Sequence, residues 1–119
     1  MRLALPPKPV CDEIDGAFHD FFVEPAAHAR EFRVALEAWA EFYHLKRPPV
    51  RWRRRLIQDW SAEGLCWPDG TIDLIHPRNW PGTETEWMES LYHELGHYLL
   101  WADAEKKADM YARRWMEGM

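Results

Sequence analysis

The sequence predicts an α+β fold, and three observations carry that prediction. Phe32, Leu36, Trp39 and Tyr43 recur at three- and four-residue steps, the period of an amphipathic helix. Val50 to Ile57 changes to a period of two, with Val50, Trp52 and Arg54 alternating with Arg51, Arg53 and Arg55. Beyond the strands, a long segment from Thr83 returns to helical spacing. The order is helices, a small antiparallel sheet of about three strands, then a helical hairpin. At 119 residues the chain suits one domain with one core. Its expected parts are an arm over 1–10, a helical region over 11–47, the sheet over 50–76 and the hairpin over 83–118.

Each part has a local reason. Pro6, Pro7 and Pro9 stiffen the first ten residues into an extended arm. Asp12 to Val23 reads as a short helix with Asp12 as a cap, and with Ile14, Ala17 or Phe18, Phe21 and Phe22 on one side. Pro25 fits the first turn of the next helix, which runs to about residue 45 and ends at Pro48-Pro49. Gly64 to Trp67 and Thr71 to Ile75 flank Pro68-Asp69-Gly70, a hairpin turn signal. Pro77 to Gly82 is loop. Thr83 or Thr85 caps the following helix, with Glu86 placed to complete a capping box with Thr83. That helix ends near Trp101, Ala102-Asp103 turns, and a last helix from about Ala104 to Glu117 turns Ala108, Tyr111, Ala112 and Trp115 inward.

Composition narrows the setting. Eight tryptophans imply a core dominated by aromatic burial. A formal net charge of −5 gives no global attraction to nucleic acid. Cys11 and Cys66 form no framework of closely spaced pairs, so reduced thiols in a cytoplasmic protein are expected. Met1 to Val10 holds no apolar run of signal-peptide length, and no stretch approaches a membrane span.

The chemistry concentrates in His93-Glu94-Leu95-Gly96-His97. Histidines four residues apart project from one helix face and can hold one metal ion. Glu94 follows the first of them, where it can reach a water at that metal and act as general base. Leu91, Tyr92, Leu95, Gly96, Tyr98, Leu99 and Leu100 are uncharged, as a buried active-site helix requires. A catalytic zinc takes three protein ligands, and Asp103, Glu105 and Asp109 are the candidates after His97. A reversal at Ala102-Asp103 brings Glu105 back to about the level of His97 and Asp109 to that of His93. Glu105 then closes the site and Asp109 accepts a ligand histidine's free ring N–H. Asp103 is the expected N-cap of the last helix.

His93-Glu94-Leu95-Gly96-His97 followed by Glu105-Lys106-Lys107-Ala108-Asp109 resembles the HExxH…ExxA(D/N) signature of gluzincin metallopeptidases, including the ImmA/IrrE-like peptidases and the minigluzincins. The resemblance runs from about residue 50 to the end. It implies a minimal zincin-like domain, one zinc per chain on His93, His97 and Glu105, Glu94 as the base and Asp109 behind the ligands. It also implies a hydrolase, a zinc-dependent endopeptidase whose partner is a protein or peptide substrate.

Other residues stand as candidates beside these. His76, at a strand end, and Tyr111 or Arg113, on the last helix, are each placed to serve as an oxyanion stabiliser. Cys11, in the arm, is a candidate thiolate cap for the zinc, while Cys66 reads as core. Arg51, Arg53, Arg54 and Arg55 form the basic cluster, read as a solvated strand face or as a phosphate contact. Two alternatives to a peptidase follow: a non-catalytic zinc-stabilised protein-binding module, or a nucleic-acid-associated regulatory protein that uses the Arg51–Arg55 cluster.

Overall fold

Pro9 lies in a first helical turn, where a missing N–H costs nothing. Helix α1 accordingly spans Lys8–Val23 and starts inside the proline-rich stretch. The expected extended arm over 1–10 is therefore shortened, and Asp12 is not a cap. Its carboxylate sits one turn into the helix, 3.0 Å from Lys8 Nζ. A computed structural model provides this fold. It describes residues 4–55, 64–100 and 105–117, and along 105–110 the backbone alone.

Helix α2, Pro25–Phe42, begins where Pro25 predicts. It ends before Pro48, because His44 turns left-handed at φ 58°. The Leu45 N–H then reaches the Ala40 carbonyl at 2.9 Å and the His44 N–H the Glu41 carbonyl at 3.1 Å. This Schellman closure satisfies the last carbonyls with a histidine where glycine is usual.

Strands β1 (Val50–Arg53), β2 (Gly64–Cys66) and β3 (Ile72–Ile75) form one sheet in the order β1-β3-β2. The β2–β3 hairpin is antiparallel, as its turn signal predicts. Gly70 takes φ +93° there, and the Asp69 carboxylate accepts the Thr71 N–H at 2.9 Å. The β1–β3 pair is parallel, with Val50 opposite Ile72. The sheet is therefore mixed, not antiparallel throughout. Residues 77–79 make a 3-10 turn within the expected loop.

Helix α3, Glu84–Leu100, carries the predicted capping box. Thr83 Oγ1 accepts the Glu86 N–H, and Glu86 Oε1 accepts the Thr83 N–H, both at 3.2 Å. Helix α4, Glu105–Glu117, packs along α3. The Ala102-Asp103 turn, and Asp103 as its cap, lie outside the described residues.

One aromatic core joins these pieces. Phe18 of α1 packs on Tyr92 of α3 at 5.8 Å, and Tyr92 stacks on Trp115 of α4 at 4.5 Å. The Asp15 carboxylate accepts from the Tyr92 hydroxyl and, at 2.8 Å, from Trp115 Nε1. Trp39 of α2 donates to the Tyr111 hydroxyl at 2.7 Å. Trp87 Nε1 donates to the Ile75 carbonyl at 3.1 Å, which fixes α3 to the end of β3. Among the described residues no helix is long and apolar enough to cross a membrane.

Candidate metal centre

His93, Glu94 and His97 all lie on α3, whose Trp87, Leu91, Tyr92 and Leu95 are buried. The two histidines are half-buried, and their Nε2 atoms approach to 3.1 Å. Two neutral imidazoles at that distance can share a proton. They can equally share an ion, since tetrahedral Zn–N bonds of 2.0–2.1 Å hold two ligand nitrogens about 3.3 Å apart. The donor pair thus fits zinc with a movement of a few tenths of an ångström. Among the described residues no third His, Cys, Asp or Glu completes a metal-binding group with them. Glu105 opens α4 and Asp109 lies one turn further on, but both side chains fall outside the described residues.

Glu94 is only 5% exposed, and β2 runs across it. A Cβ placed on Gly64 would lie 2.8 Å from Glu94 Cγ, 3.1 Å from Glu94 Oε2 and 3.1 Å from Leu74 Cδ2. The strand can pass this close only because Gly64 has no side chain. Sequence reasoning placed Gly64 in a short strand and offered Gly64 to Trp67 as a peptide edge, but missed its contact with Glu94. Its signal was present, a glycine opening a short apolar strand. Cys66, two residues on, stays protonated at neutral pH. Burial pushes its thiol up to about 11, and the charges of Glu94 and Asp69 push the same way.

The other candidates sit elsewhere. Tyr111 is in the core, its hydroxyl held by Trp39 and, at 2.9 Å, by Tyr43. Burial drives its pKa far above the usual phenol value. His76 caps the 3-10 turn by accepting the Arg78 N–H at 3.1 Å, with its ring edge-on to Trp52 and Phe21. Burial, then the charge of Arg78, lowers its pKa. Cys11 is not on an arm. It belongs to the buried face of α1, and its thiol donates to the Pro6 carbonyl.

In the basic cluster, Arg51 makes a two-pronged pair with the buried Asp73, at 2.7 and 3.1 Å. Trp67 Nε1 donates to the same carboxylate at 2.8 Å, and Arg53 stands 3.6 Å away. Burial alone would raise the Asp73 pKa, but these donors and cations overcome it and the carboxyl titrates below its usual range. Comparison of the chain with protein-family models, with curated proteins and with solved structures gives no match.

Proposed function

We propose that this chain is a zinc-dependent peptidase. The observation that carries the reading is the His93–His97 nitrogen pair, 3.1 Å apart, with the buried Glu94 beside it under β2. His93 and His97 would hold the ion, with Glu105 as the third ligand and Asp109 orienting a histidine, as the sequence resemblance implies. When bound, zinc supplies a Lewis acid that acidifies water and polarises a carbonyl. Glu94 takes the proton of the attacking water and passes it to the leaving amine.

An extended peptide would lie along β2, whose outer side no strand covers among the described residues. Main-chain hydrogen bonds to Gly64–Cys66 would give affinity without demanding particular side chains. That seat also explains the glycine. The strand that holds the peptide is in contact with the residue that moves the proton.

The test uses the full chain and a quenched fluorescent peptide library. After zinc reconstitution the protein should carry about one zinc per chain, as a single three-ligand site requires. Glu94→Gln should keep that zinc and lose cleavage, because Glu94 is not a ligand. Absence of bound metal, or wild-type cleavage by Glu94→Gln, would overturn the proposal. Zinc retained with no cleavage by the wild type would leave the non-catalytic binding module in its place.

A further inference from the structure

A cleft of about 650 Å³, lined by none of His93, Glu94 and His97 but in part by His76, lies between the first half of α2, the end of β1 and the 3-10 turn. Arg33, Arg53, Arg54 and Arg78 line it, and among the described residues no Asp or Glu does. These arginines come from three separate segments, so the fold and not a sequence run brings them together. Four arginines along one cleft, with no carboxylate among its described lining residues, are unexpected in a chain of net charge −5.

Among the described residues this charge is also little committed. Among the described residues Arg33, Arg54 and Arg78 enter no ion pair. Arg53 makes only the 3.6 Å contact with Asp73, a carboxylate already gripped by Arg51. Pro25 and Ala26 form part of the wall, ahead of the kink that His28 puts into α2 at φ −122° and ψ 19°. Glu24, the carboxylate just before them, does not line the cleft and lies nearest His28, at 3.9 Å. The floor is aromatic, from Trp52 with Phe21 packed on it at 5.2 Å.

We propose that this cleft binds a small polyphosphate of nucleotide size. The volume is that of a small-molecule pocket, and planar guanidinium groups match phosphate oxygens two at a time. Four arginines balance the three to four charges of a triphosphate group. A long nucleic acid fits less well. Its backbone is read by charges spread along a surface, whereas these line one concavity. Arg51, the neighbour best placed to extend a surface patch, is neutralised by Asp73.

Calorimetric titration of the full chain with ATP and with inorganic triphosphate tests the proposal, beside a 20-nucleotide single-stranded oligonucleotide. The comparison protein is Arg33→Gln/Arg54→Gln/Arg78→Gln, whose fold is checked by circular dichroism and thermal unfolding. ATP and triphosphate should each bind the wild type one to one, and the triple variant at least about 100-fold more weakly, since three charge-assisted contacts are lost. An Arg33→Lys/Arg54→Lys/Arg78→Lys variant, which keeps the charge and the fold but not the fork, should weaken binding to an intermediate degree. Three results would overturn the proposal: no binding of either small ligand below millimolar concentration, undiminished binding by the glutamine variant, or binding of the oligonucleotide alone.

Discussion

Gly64→Ala places a methyl group where the structure has no room for one. The added carbon would stand 2.8 Å from Glu94 Cγ, against an ordinary carbon contact of about 3.5–4.0 Å. Something must move by about 0.7–1.2 Å. Glu94 Cγ is mid-chain in a buried residue and cannot swing aside as a flexible tip would. Leu74 Cδ2, at 3.1 Å from the same added carbon, resists a compensating shift of the strand. Overpacking of this kind costs about 1–3 kcal/mol. For a domain of this size that lowers Tm by roughly 3–10 °C.

The same displacement acts on the proposed chemistry, because the carboxylate that must meet the water is the group being pushed. A misplacement of about 1 Å lowers turnover by about 100-fold. Zinc content should hold, since neither histidine is touched. Gly16→Ala is the control. Gly16 is exposed on α1 with nothing within 4 Å of an added Cβ, so alanine should stabilise by about 0.5–1 kcal/mol. Thermal unfolding, zinc analysis and peptide cleavage on both variants decide the matter. Wild-type Tm for Gly64→Ala would refute the close approach of β2 to Glu94. A lowered Tm with unchanged turnover per folded molecule would refute the role of Glu94.

Glu105→Ala should nearly abolish zinc retention in a chelator titration, while Asp109→Ala should weaken it about 10–100-fold. The reverse order would move the third ligand one turn along α4, the level that the Tyr92–Trp115 stack sets opposite His97 in a straight antiparallel pair. Asp15→Ala strands the Tyr92 hydroxyl and the Trp115 indole N–H, and should cost about 2–4 kcal/mol in urea unfolding. Asp15→Asn, which keeps an acceptor, should cost less, and a loss under about 0.5 kcal/mol for the alanine variant would refute that pairing. His19 Nδ1 lies 2.7 Å from Glu84, and that hydrogen bond, then the carboxylate charge, raises the histidine's pKa. This α1–α3 tie is fully present below pH of about 6.5 and lost as pH rises through the raised folded value; exposed, it is worth under about 1 kcal/mol. NMR titration of Glu84→Gln should return His19 toward its ordinary pKa.

What was legible in the sequence was local. Thr83 and Glu86, Pro25, and Pro68-Asp69-Gly70 each act on neighbours within a turn, and each is found as read. The one-turn spacing of His93 and His97 belongs to the same class, and their nitrogens do converge. The departures are of two kinds. Where two conformations share one local pattern, the pattern cannot choose. Alternation in Val50–Arg53 is the same for a parallel and an antiparallel partner, and a proline run suits an extended arm as well as a first helical turn. Where the determinant is remote, no pattern exists. Gly64 meets Glu94 across 30 residues, and Arg33 joins Arg54 and Arg78 only through the fold.

The first half of the chain carries no motif, yet the proposed metal centre would depend on it. Successive residues of a helix are rotated by about 100°, so Tyr92 and Glu94 flank His93 on opposite sides, with His97 rotated only about 40° from His93. Tyr92 is fixed by Phe18 and Asp15 of α1 and by Trp115 of α4. Glu94 is fixed under Gly64 of β2. A roll of α3 in either direction must break one of these contacts before it carries the histidines away from their common focus. A lone helix of this length is marginal in water, and the rotational setting of the two proposed ligands to within a few tenths of an ångström is beyond it. The aromatic clamp from α1 and the glycine crossing from β2 together supply that setting. Phe18 and Asp15 would therefore be positioning residues for the proposed site, to which neither contributes a donor atom.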